Sequence, residues 1–397
     1  MRGRIPWIGA VAGLGTVLLA PIWILWCPGA AAWRAHCYKQ LIYHELAKQV
    51  TQGCHSEEEE VKRLAKYVYT HVWPATDMGP YDGKPFDYLV SGVGWCDYLA
   101  KTYCRLAATR GIRARYAMLL QADGISPHTI AEVRYGGRWG AYDVLFGVRF
   151  TDPAGEPLTL EALSDAPALL DLQPAVALLR RQAPAAAAQI HELYARVLPL
   201  ARPPRRSKEN LTRVTVFDRV LFLYTRWAGR GFFEWYQDQY LASAGLAHPA
   251  ALEKILASAR HLHLAGRTER ARRAYERCIL ESAGASQGAE ARFWLGLLQW
   301  EMDRDAEGAL HTFAALLAQE PQTRWAPMAR YYMGRCEEAR GHIEQAQAHY
   351  QQARSSGTFA ACLRSARLSK GRGVCTVARD ASGPLTRVQR HLGRKTL

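Results

Sequence analysis

The sequence predicts an α+β core in which a helix packs on a small antiparallel sheet. An all-α region of helical repeats follows it, and an N-terminal membrane helix precedes it. Three observations carry this reading. A helical pattern opens at Gly94-Trp95-Cys96-Asp97 and gives way to strand patterns that end near Asp143. Small and aromatic residues recur at intervals of 37–38 residues from Gly266 onward. Twenty uncharged residues, Trp7 to Trp26, follow Met1-Arg2-Gly3-Arg4.

In the core, Leu99, Tyr103, Leu106 and Ala107 recur at helical spacing after Cys96, and Gly111 fits the place just past the helix end. Cys96 therefore sits in the first helical turn, where unpaired backbone N–H groups and the helix dipole favour a negative charge. Ile112 to Leu120 alternates as a strand. His128 to Tyr135 and Arg138 to Leu145 are two further strand patterns, separated by the two-residue hairpin signal Gly136-Gly137. That turn sets residue 135 opposite 138 and Ile130 opposite Asp143. His128 shares a face with Ile130, because strand side chains alternate, so Asp143 falls diagonal to His128 on the same face. Diagonal neighbours lie about 7–8 Å apart between backbones, within reach of an imidazole and a carboxylate.

A thiol at a helix start, an imidazole to move its proton and a carboxylate to orient the imidazole make a Cys-His-Asp acyl-transfer triad. Backbone N–H groups near Cys96 would form part of an oxyanion site. Asp143 has a competing reading as a cap of the turn toward Gly147.

These residues, in this order, resemble the transglutaminase-like superfamily of cysteine enzymes over roughly residues 56 to 150. The resemblance rests on Gly94-x-Cys96, on Arg110-Gly111-Ile112-Arg113-Ala114-Arg115, on His128 with Glu132-Val133, and on Trp139 and Asp143. It implies a papain/transglutaminase-like core, with Cys96 as nucleophile, His128 as general base and acid, and Asp143 as orienter. Ile130 stands where the family often has an aromatic residue, and Val144 where it usually has proline.

Ahead of the core, Ser56-Glu57-Glu58-Glu59 opens a helix with a cap residue and first-turn acids, and Val61, Leu64, Val68 and Val72 form its buried stripe. Trp73 and Trp95 are each read either as shields of the thiol or as core packing. Residues 156–248 are alanine- and leucine-rich and form a helical connecting region. Within them Val214 to Tyr240 is crowded with aromatics, but Asp218, Arg219, Arg226 and Arg230 break every membrane span. A packed helical pair or an interfacial amphipathic face remains.

Gly266, Ala271 and Tyr275 recur as Ala309 and Phe313, then as Gly341, Ala346 and Tyr350. This pattern resembles tetratricopeptide units, and Leu295-Gly296 and Met333-Gly334 mark equivalent first helices. The expected organisation is an anchor or signal over 1–35, a catalytic domain over 36–155, the connecting region over 156–248, three repeats over 249–360 and a basic, disordered tail over 361–397. Because solenoid repeats contact mainly one another, deletion from about residue 250 is expected to spare the thiol chemistry.

The formal charge of +15 points to acidic partners or a membrane surface. Nucleic acid is disfavoured, since no base-reading motif accompanies the charge. His36-Cys37 and Cys54-His55 are adjacent pairs rather than metal-ligand steps, so neither a metal nor a cofactor is implied. Nine cysteines show no disulfide framework, although a Cys37–Cys54 bridge is conceivable on an oxidising side.

The expected protein is thus a single-pass membrane enzyme with an extracytoplasmic body. It would be a cysteine acyl-transferase or hydrolase (protease or amidase) acting on peptide or protein amides, with repeats that dock a protein partner. The alternative is a catalytically silent scaffold that acts through its repeats.

Overall fold

The computed structural model describes residues 27, 29–74, 85–122, 126–201, 210–212, 214–282, 285–355 and 359–368. Helix α1 (Ala31–Val50) leads to α2 (Glu57–His71), which begins as its sequence dictates. The Ser56 hydroxyl accepts the Glu59 N–H at 3.2 Å, and the Glu59 carboxylate reaches back to the His55 N–H at 2.8 Å. Val61, Leu64, Val68 and Val72 are fully buried. Two short parallel strands, β1 (Trp73–Pro74) and β2 (Val93–Gly94), bracket α3 (Pro85–Ser91) and deliver the chain to α4 (Cys96–Thr109). Helix α4 ends in a Schellman turn. Gly111 takes φ +83°, its N–H bonds to Ala108 O and the Ile112 N–H bonds to Ala107 O.

The main sheet is antiparallel throughout and has five strands. They are β3 (Arg113–Leu119), β4 (His128–Tyr135), β5 (Arg138–Asp143), β6 (Val148–Arg149) and β7 (Asn210–Thr212), in the order β6-β5-β4-β3-β7. The hairpin register is the expected one, with Tyr135 opposite Arg138 and Ala131 opposite Tyr142.

Residues 156–248 do not stand apart from this core. Helices α5 (Leu160–Asp165), α6 (Leu169–Leu172), α7 (Pro174–Gln182) and α8 (Pro184–Val197) bury Leu160, Leu179, Ile190 and Tyr194 in the same cluster as Leu99, Ile130 and Val133. The stretch also supplies edge strand β7. Helices α9 (Val216–Trp227) and α10 (Gly229–Ser243) pack as a pair against α1, one of the two arrangements the sequence allowed.

Three helical hairpins follow: α11 (Leu252–Leu264) with α12 (Thr268–Glu281), α13 (Ser286–Leu298) with α14 (Ala306–Gln319), and α15 (Ala326–Ala339) with α16 (Ile343–Ser355). Their recurrent residues explain themselves by packing. A Cβ on Gly296 would lie 2.7 Å from the Phe313 ring, and one on Gly334 would lie 2.6 Å from the Tyr350 ring. Each small residue thus admits the aromatic of the following helix.

Two expectations change. The tail was expected to begin at residue 361, but α17 (Phe359–Leu368) packs on α7 and buries Ser365 and Ala366. Residues 369–397 lie outside the described residues. The repeats are not independent of the core, because Trp294 closes over Gly92, the Tyr332 hydroxyl donates to Thr70 O at 2.8 Å, and Arg260 donates to Leu89 O and Val90 O. No helix among the described residues is long and apolar enough to cross a membrane. Trp7 to Trp26, on which the membrane-helix expectation rests, lies outside them.

Candidate active site

Cys96 is the first residue of α4, half-buried, behind Trp95 at the helix cap. The helical ladder begins with the Leu99 N–H on Trp95 O at 2.9 Å, so the amides of Cys96 and Asp97 lie ahead of it. His128 opens β4 and is buried, with only 1% of its surface exposed. Its Nε2 meets Asp143 Oδ2 at 2.8 Å, the diagonal contact that the hairpin register implies. Cys96 interacts with the same imidazole and favours its charged form. The structure therefore brings Cys96, His128 and Asp143 together.

Burial opposes a charge on His128, but the Asp143 carboxylate and Cys96 outweigh it and raise the imidazole to about 10. The ring is held on its flanks by Phe146 and Tyr194, at centroid distances of 5.9 and 6.1 Å.

Asp143 makes both sets of contacts that the sequence set against each other. Oδ2 faces His128, while Oδ1 accepts the backbone N–H groups of Leu145 at 2.9 Å and Phe146 at 3.3 Å, capping the turn into β6. Tyr194, from α8, donates its hydroxyl to Oδ2 as well. Sequence reasoning missed Tyr194, which carries no motif and lies 51 residues downstream of Asp143. Its one signal is a helical stripe shared with Ile190 and Val197.

Glu132 is not a spare carboxylate. It is buried opposite Arg115 across β3 and β4, accepts Arg115 Nε at 2.8 Å and takes the Leu160 N–H with its other oxygen. The Arg115 guanidinium also lies 4.4 Å above the Trp139 ring. Trp73 takes the packing role. It is buried against Tyr331 of the repeats.

The faint metal signals separate. His36 pairs with Asp218 at 2.8 Å, and both Cys37 and Cys54 are free thiols. Among the described residues no group of three metal-ligating side chains forms. A cleft of about 510 Å³ between α3 and the repeats is lined by Lys39, Val90, Arg260, Glu290 and Arg324, not by Cys96, His128 or Asp143.

Residues 44–144 match the family model of the transglutaminase-like superfamily. That transglutaminase-like segment runs from α1 to one residue past Asp143, so it contains Cys96, His128 and Asp143 and omits Tyr194. Residues 328–356, in the third hairpin, match a tetratricopeptide repeat. No curated protein and no solved structure matches the chain.

Proposed function

We propose that this protein is a transglutaminase-like cysteine acyl-transferase or hydrolase, with Cys96 as nucleophile, His128 as acid and base, and Asp143 as orienter. The observation that carries the reading is the chain of contacts from Cys96 through His128 to Asp143, inside the transglutaminase-like match. A His128 imidazolium is the counter-ion that an attacking thiolate needs. Cys96 Sγ adds to the amide carbonyl, and amides at the start of α4 face the developing oxyanion. His128 gives its proton to the departing amine nitrogen, leaving a thioester. Water, in hydrolysis, or a second amine, in transfer, then attacks that thioester. His128 takes the proton of the incoming group and the thiolate leaves. The repeats serve to bind a protein partner, the use their tetratricopeptide match supports. We place a membrane anchor in Trp7 to Trp26, with the body on the extracytoplasmic side.

The test is to incubate the full chain with an acyl-donor peptide library and examine it by peptide mass mapping. A thioester on Cys96, absent in Cys96→Ala together with product, is expected. Absence of both thioester and product in the parent would return the chain to the scaffold reading, and product that survives Cys96→Ala would remove Cys96 as the nucleophile.

A further inference from the structure

Helix α9 is built inside out. On a helix Val216, Val220, Leu223 and Trp227 fall in one stripe, yet this is the outward face, with Val216 75% and Trp227 71% exposed. The inward face instead carries Asp218 and Thr225 beside Leu221, all buried. Burial of Asp218 is possible because His36 of α1 meets its carboxylate at 2.8 Å and the Thr215 N–H bonds to it at 2.9 Å. A helix meant for water would reverse this arrangement.

Three neighbouring features say what covers the stripe. Trp33, 57% exposed at the start of α1, sets its ring edge-on to Phe217 at 5.9 Å, extending the apolar face. Arg219 and Arg226, both exposed and one heptad apart, line the edge of the stripe. Trp33 also follows the apolar run ending at Trp26 by seven residues, at most about 25 Å of extended chain. Tryptophan rings at the rim, arginines on one flank and an apolar stripe between them are the composition of a helix lying in the headgroup boundary of a bilayer.

We infer that the outer face of α9, with Trp33, lies on an anionic lipid surface beside the anchor. The inference rests on the anchoring proposed above. It fixes which side of the body faces the membrane.

The full chain, reconstituted in phosphatidylcholine vesicles with and without phosphatidylglycerol and carrying a diazirine-tailed phospholipid, is photolysed and its lipid adducts are mapped. Adducts are expected within 216–227 and at Trp33 as well as within 7–26. None are expected at Leu280, which is more exposed than any of these but stands alone on α12. Val216→Asp with Trp227→Asp should remove about tenfold of the 216–227 adducts and spare those in 7–26, at an unchanged melting temperature. Omitting phosphatidylglycerol should lower the α9 adducts selectively. Adducts confined to 7–26 would overturn the docking face while leaving the anchor standing, and cross-links joining α9 of two copies would overturn it in favour of self-association. Adducts on α9 without any in 7–26 would uphold the face and overturn the anchor.

Discussion

At the scale of residues, the site turns on the two oxygens of Asp143. Asparagine has one carbonyl oxygen and one amide, so Asp143→Asn must fail either His128 and Tyr194 or the turn at 145–146. Both activity and stability should therefore fall, the rate by about 10³–10⁴-fold as when a triad acid is neutralised and the fold by about 1–3 kcal/mol. A rate and a melting temperature alone do not separate the two roles, but pH does. His128 is held near 10 by Asp143, so its contribution to stability is complete below its ordinary value of 6.5 and is lost as pH rises toward 10. Activity that needs the imidazolium should fail along the same alkaline limb, and Asp143→Asn should move that limb acidward. A limb that stays in place would remove Asp143 from the orienting role. Glu132→Gln is the comparator. It strips the charge that Arg115 faces, so it should cost stability while the rate below the melting temperature stays near that of the parent. Tyr194→Phe removes one donor to Oδ2 and should cost about 1 kcal/mol. Because Tyr194 acts through Asp143, its loss should appear in kcat, with KM unchanged.

At the scale of elements, the legible parts of the chain were those in which periodicity and a turn signal agree. Gly111 and the Gly136-Gly137 pair fixed the end of α4 and the register of the hairpin, and from that register came the His128–Asp143 contact. The first and third repeats were legible for the same reason, since Gly266 and Gly341 take the left-handed backbone that ends their first helices. The second repeat was legible in Ala309, Phe313 and Leu295-Gly296 but lacked the glycine signal, because Arg304 holds the equivalent place with φ +60°, after a π-helical turn over Gln299–Asp303. An L-residue there is strained, so Arg304→Gly should raise stability by about 1 kcal/mol in a denaturant titration. A loss of stability would mean that the arginine side chain outweighs the strain of its backbone.

At the scale of the whole molecule, the sequence offered no sign that the repeats and the thiol core are one body. The contacts that join them are single residues without periodicity: Trp294 over Gly92, Arg260 on the carbonyls of Leu89 and Val90, and His71 bonded to Glu301. Gly92 shows how tight the join is, since a Cβ there would meet the Trp294 ring at 2.2 Å. These contacts bear on the segment that leads through β2 into Cys96. Deletion from about residue 250 should therefore expose the faces of Trp73 and Val93 and lower both solubility and thiol reactivity, contrary to the modular expectation. A truncated chain that stays monomeric with an unaltered Cys96 labelling rate would restore that expectation.

The most direct test of the central claim is limited iodoacetamide labelling of the full chain at neutral pH, mapped thiol by thiol, in the parent and in His128→Ala. Among the described residues, burial pushes Cys37 and Cys278 up to about 11 and raises Cys104, Cys336 and Cys362 as well, so the thiols there that compete by access are exposed Cys27 and half-buried Cys54. The account predicts that Cys96 labels first in the parent and falls behind Cys27 once His128 is removed. Labelling of Cys27 or Cys54 ahead of Cys96 in the parent, with no change in His128→Ala, would contradict it.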